Sequence, residues 1–143
     1  MKALSIHPYY AMGIMVGEKT VECRSWKTDY RGDILICATQ KKYPGTIPGH
    51  ALGVVELIDV VPFKKKHLKN ALMDDYNPSD YAWILTNNRL IEPIPVKGKL
   101  SLWNFEDEDR IKYIPEEEWV LKPGDDPDEP GEWFKKFWEP LII

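Results

Sequence analysis

The sequence predicts one small α+β domain, a mixed β barrel of about six short strands with two or three helices. Its apolar segments are short and β-branched, and turn residues separate them. The 12 prolines and 12% aromatic residues point the same way, toward many short elements joined by tight turns. A length of 143 residues with 43% hydrophobic content suits one domain with a real core.

The elements follow in chain order. Residues 3–6 read as a first strand. Pro8 opens a short apolar helix over 9–16, because its missing N–H costs nothing in a first turn. Gly17 is suited to cap that helix. Residues 20–26 alternate as a strand, with Val21 and Cys23 facing inward. Thr20, Glu22 and Arg24 then share the other face, and Lys19 lies in the turn entering the strand. Residues 30–33 form a turn before an apolar buried strand that runs to Ala38. Prolines and glycines make 40–50 a loop, which also carries Lys41 and Lys42. Residues 51–61 form a long β-branched strand with one interior acid, Glu56.

Residues 63–73 read as an amphipathic helix whose basic side chains are Lys64, Lys65, Lys66 and Lys69. Residues 81–85 form a strand, 86–89 a turn, and 90–96 an irregular or edge strand containing Pro93 and Pro95. The last strand covers 100–103. A final helix over 132–139 gathers Trp133, Phe134, Phe137 and Trp138, so this end is expected to dock on the body. The expected interior includes Val21, Cys23, Ile34, Ile36, Val54, Ile84 and Leu102.

Composition narrows the function classes. No run of about 18 apolar residues is present, so no membrane span is expected. The start lacks the features of a signal peptide, and Cys23 and Cys37 both lie in apolar strand-like sequence. The expected location is cytoplasmic. His7, His50 and His67 are far apart in sequence, so neither a metal site nor a cofactor is expected. The net charge of −4 is uneven: residues 1–104 carry 14 Lys and Arg against 10 Asp and Glu, and residues 105–143 carry 5 against 13. A basic body of +4 with an acidic end of −8 can bind a polyanion on one face only. A solvated acidic tail with no electrostatic role explains the same asymmetry.

The densest chemistry lies in Gly17-Glu18-Lys19-Thr20-Val21-Glu22-Cys23-Arg24-Ser25-Trp26. A lysine, a carboxylate and an arginine fall within six residues after an apolar segment. With Lys19 alongside, Glu22 and Arg24 suit an anionic or nucleotide-like ligand. Lys19 and Arg24 bind phosphate or a base carbonyl, and Glu22 accepts from an exocyclic amine. The alternative is a structural ion pair that pins the strand.

These residues also carry a family resemblance. Gly17, Lys19, Glu22 and Arg24 make a G-x-K-x-x-E-x-R string behind a short apolar helix. The Arg31-Gly32 turn follows, then Trp83-Ile84-Leu85, then Pro93-Ile94-Pro95-Val96-Lys97-Gly98-Lys99-Leu100 with Leu102-Trp103. In that order, over residues 3–104, the chain resembles the ASCH domain family, which has a PUA-like fold. The resemblance implies a pseudo-barrel over 1–104 and leaves the acidic section 105–143 unexplained; the aromatics of that section make it an extension expected to pack on the same domain. The resemblance also implies a cleft beside the first helix and an RNA-linked role. Some small bacterial relatives deacylate N4-acylated cytidine, and others are described as ribonucleases. The hydrolases carry a threonine where this chain has Glu22.

The leading expectation is therefore a binder of RNA or a nucleotide-like ligand through Lys19, Glu22, Arg24, Trp26, Arg31, Tyr9 and Glu56. Tyr9, Tyr10 and Trp26 stack on bases or pack in the core. Arg31 extends a phosphate track or sits in an exposed turn. Glu56 is either a second site carboxylate or a barrel residue paired with a cation. The alternative is an amidohydrolase with Lys19 and Glu22 as its catalytic pair. A third reading is an adaptor that meets a protein partner through its C-terminal extension.

Overall fold

Six strands form one sheet in the computed structural model, which describes residues 1–143. They are β1 (Lys2–Ile6), β2 (Val21–Arg24), β3 (Gly32–Ala38), β4 (His50–Pro62), β5 (Tyr81–Pro95) and β6 (Leu102–Asn104). Their order is β2-β5-β4-β3-β1-β6. β1 and β3 run parallel, and all other neighbours are antiparallel. Helix α1 (Pro8–Met15) leaves β1 and packs across β3, β4 and β5. The register of the long β4–β5 pair shifts three times, and that of β3–β4 once. Such bulges bend and twist a strand, so the sheet curls into a half-barrel.

Strand alternation builds a core on each face of this sheet. Ile34, Ile36, Val55, Leu57 and Trp83 join Leu4, Ile14 and Met15 on the α1 side. Leu35, Cys37, Val54 and Ile91 meet Ala3 and Phe105 on the other. A third cluster holds Val21, Phe63, Ala71 and Ala82. Of the expected interior residues, Val21, Ile34, Ile36 and Val54 are buried, while Cys23, Ile84 and Leu102 are partly buried.

Two local expectations are corrected. Residues 86–89 do not end a strand, because β5 runs unbroken through them. Asn87 has φ +52° and lies at a register shift, so the turn-forming residues mark a bulge. Residues 63–73 form no continuous helix. They contain a 3₁₀ turn at Lys65–His67 and one helical turn, α2 (Leu68–Ala71), which ends at Leu72 with φ +57°. The His67 ring accepts the Lys64 N–H at 2.9 Å, a local bond that competes with helix. The expected final helix is present: residues 132–141 are helical, with a π-helical turn at Phe134–Trp138 and a 3₁₀ turn at Glu139–Leu141. Trp138 is 1% exposed within the main core.

Candidate ligand cleft

The end of α1 sets up the cleft. His7 caps the helix, its Nδ1 accepting the Tyr9 N–H at 3.1 Å, and Pro8 fills the first turn. Gly17, at φ +85°, lets the chain reverse, and the Gly13 carbonyl accepts the N–H groups of both Glu18 and Lys19 at 3.0 Å. Lys19 therefore lies back against α1, just before β2 begins.

The Lys19 side chain is only 2% exposed. Its Nζ donates to the Ala71 carbonyl at 2.6 Å, lies 3.5 Å from Glu22 Oε1 and sits 4.7 Å from the centre of the Tyr10 ring. Burial lowers its pKa, and the Glu22 carboxylate opposes that shift. Glu22 Oε1 also accepts the Cys23 N–H at 3.3 Å, while Oε2 accepts Arg24 Nε at 3.0 Å. Arg24 Nη2 donates to the Ser5 carbonyl at 2.9 Å. No protein partner binds Arg24 Nη1. Two cations thus hold one carboxylate, and the partly exposed arginine keeps free donors.

These three side chains line a cleft of about 310 Å³ with Ser5, Ile6, His7, Tyr10, Cys23 and Met73. That is near the lower limit of small-molecule sites, roughly 300–1,000 Å³. It suits a group of about nucleoside size. Burial and the Asp80 carboxylate, to which the thiol donates at 3.4 Å, push the Cys23 pKa up to about 12. The thiol is therefore no nucleophile near neutral pH.

Other residues expected at the site lie elsewhere. Trp26 meets Trp83 edge-on at 4.7 Å, and its carbonyl accepts the Trp83 indole N–H, so it packs against the core. Arg31 is exposed, 3.6 Å from Asp59. Glu56 pairs across the sheet with Asp33 and Thr86, on the face opposite Val55 and Leu57. Alternation in β4 turns it away from the α1 side. Tyr9 is half exposed and lines an adjoining groove, while Tyr10 lines the cleft. The carbonyls of Ser5 and Ala71 carry no side-chain signal, and Met73 arrives only through the left-handed turn at Leu72.

A larger hollow of about 380 Å³ lies beside Arg89, Tyr113 and Trp119. Its arginine is taken up by Asp33, in paired contacts of 2.6 and 3.1 Å. No three His, Cys, Asp or Glu side chains converge in metal-binding geometry. No helix is long and apolar enough to cross a membrane.

Known proteins are similar to this chain in sequence and fold. A model of the ASCH domain matches residues 4–95. Human activating signal cointegrator 1 is 30% identical over 129 residues, which cover 72% of this chain and 22% of that protein. The mouse protein of the same name is 28% identical over 127 residues, with the same coverage. The chain thus spans 22% of the length of these curated relatives. The crystal structure of ASCH from Zymomonas mobilis superposes with a TM-score of 0.60 at 20% identity, covering 76% of this chain and 89% of that one. A point mutant of the same bacterial protein gives 0.60 at 20% identity, with 76% and 91% coverage. These likenesses establish the PUA-like fold, and the match over most of the curled sheet and its first helix places this chain in the ASCH domain family.

Proposed function

We propose that this domain binds RNA or a nucleotide-like ligand in the cleft formed by Lys19, Glu22 and Arg24. One observation carries the reading. Arg24 is fixed by Glu22 and Ser5, yet its Nη1 has no protein partner, and the side chain lines a nucleoside-sized cleft. A guanidinium held in this way suits phosphate or a base carbonyl. Glu22 orients Arg24, and Lys19 holds Glu22 from its other oxygen. The basic balance of residues 1–104 supports the same ligand class.

One observation favours hydrolysis of an N4-acylated cytidine: the lowered pKa of Lys19. The geometry weighs against it. Lys19 Nζ is committed to Ala71, Glu22 and the Tyr10 ring, and its side chain is buried. The adaptor reading has less support, because Trp138 is buried and Trp133, Phe134 and Phe137 pack against the main core.

The test is titration of a labelled single-stranded RNA, and of cytidine monophosphate, into wild type and Arg24→Ala. The substitution is expected to weaken both by about 10- to 150-fold, the value of a charged hydrogen bond. Raising salt from about 50 to 200 mM is expected to weaken RNA binding about 2.6-fold for each phosphate contact. Binding that ignores both changes overturns the reading. Sustained deacylation of N4-acetylcytidine by wild type, lost in Lys19→Ala, replaces it with the hydrolase.

A further inference from the structure

We propose a second nucleic-acid subsite beside the cleft: an aromatic and basic platform, built on Tyr43 and Tyr9 with Lys41 and Lys42, that stacks the next base of a single-stranded RNA. The proposal rests on the cleft reading and extends it along the strand.

The cleft and the platform are joined by rings. Tyr10 lines the cleft, and its ring lies 6.0 Å from that of His7, which also lines it. His7 lies 5.2 Å from Tyr43, and Tyr43 lies 6.2 Å from Tyr9. The chain of rings therefore leads from the cleft to the surface. At its outer end Tyr9 is 51% and Tyr43 45% exposed. Large aromatic rings left half in water beside a cleft are the usual means of stacking successive bases without regard to sequence.

Charge and rigidity select the occupant. Lys41 and Lys42 directly precede Tyr43, are exposed, and form no ion pair within the chain. No acidic residue occurs between Asp33 and Glu56. Glu18 is the one acid in the adjoining groove of about 280 Å³. The loop is also held in place. The Tyr43 carbonyl accepts the Thr46 hydroxyl at 2.6 Å and the Thr46 N–H at 3.1 Å. Gly45 N–H donates to the Ile143 carbonyl at 2.8 Å, and Ile143 N–H returns a bond to Thr46 at 3.1 Å. A preformed platform loses little entropy on binding. A polyanion with flat, apolar faces matches both of its chemistries, and single-stranded RNA has that character.

The experiment compares a labelled single-stranded RNA 10-mer with cytidine monophosphate, using wild type, Tyr43→Ala, Tyr43→Phe, Arg24→Ala and a Lys41→Ala/Lys42→Ala double variant. Tyr43→Ala is expected to weaken the 10-mer by about 5- to 150-fold while leaving the mononucleotide unchanged. Tyr43→Phe keeps the stacking face and is expected to bind as wild type. The double lysine variant is expected to lower the log–log salt slope for the 10-mer by about 1.4. Unchanged 10-mer binding in Tyr43→Ala and in the double variant, with Arg24→Ala still weakened, overturns the platform and leaves the cleft reading standing. Failure of wild type to bind either ligand defeats both. Equal competition by a poly-glutamate peptide, undiminished in Tyr43→Ala, also overturns the platform, since charge alone would then account for binding.

Discussion

At the scale of residues, one carboxylate organises the cleft. Glu22 takes contacts from Lys19, Arg24 and its neighbour's N–H, and its side chain is 8% exposed. Removing its charge leaves a buried ammonium without its counter-ion. We expect Glu22→Gln to destabilise the fold by about 3–5 kcal/mol in urea unfolding, the usual cost of breaking a buried pair. The same change is expected to lower the Lys19 pKa further, because burial remains and the opposing charge is lost. An NMR titration of the Lys19 side chain reads that shift directly. The sign for stability follows. Unfolded Lys19 keeps its proton to about 10.5, so between the lowered folded value and 10.5 the unfolded state binds more protons. Stability from this group rises with pH across that window, and Glu22→Gln widens the window downward. An unmoved Lys19 titration would show that Glu22 does not govern its charge.

Among elements, the close seat of α1 on the sheet is decisive. Gly53 lies in β4 beneath this helix. A β-carbon there would stand 2.6 Å from the Arg89 carbonyl and would collide with the Met15 side chain. Met15 can shift, but the β5 backbone cannot do so cheaply. Gly53→Ala is therefore expected to cost about 1–3 kcal/mol, as overpacked core positions do. Because α1 carries Tyr10 and supports Lys19, nucleotide affinity should fall with stability. Equilibrium unfolding together with ligand titration checks both, and an unchanged midpoint would show that the helix seat is adaptable. The Asn88 side chain adds a second tie, donating to the Met15 carbonyl at 2.8 Å. The bulge that interrupts the β5 register thus also fastens the helix that shapes the cleft.

For the whole molecule, the acidic C-terminal section is tied to the body by its aromatics. Ile114 and Trp138 lie in the main core with Leu4, Ile36 and Trp83. We propose that residues 1–104 and 105–143 unfold as one cooperative unit. Trp138→Ala is expected to lower stability by about 3–5 kcal/mol, with a single transition seen by fluorescence and circular dichroism together. Two separate transitions would split the units. The Trp138 indole N–H is buried without a partner, so part of what this side chain contributes by packing is offset by desolvation. Deleting 106–143 is accordingly a poor probe of electrostatics. Replacing exposed acids such as Asp125, Asp126 and Glu129 by amides tests the charge effect without opening the core.

Fold class and the convergence of Lys19, Glu22 and Arg24 were legible in the chain itself, because both rest on local rules. Period-two alternation put Glu22 and Arg24 on one face, and Gly17 after an apolar run marked the reversal that brings Lys19 beside them. What needed tertiary structure was the sorting of residues whose local patterns look alike. Tyr9 and Tyr10 are neighbours in one helix, and only packing decides that Tyr10 lines the cleft while Tyr9 stays at the surface. Trp26 and Glu56 carry the right chemistry, but contact with Trp83 packs one against the core and strand parity turns the other to the opposite face. Asn87 and Asn88 signal a turn in sequence and build a bulge in space, because pairing with β4 holds β5 extended on both sides. Tyr43 lies in a proline- and glycine-rich loop, distant in sequence from His7 and Tyr9. Its place beside them is fixed by long-range bonds to the C-terminal residues, which no local pattern encodes.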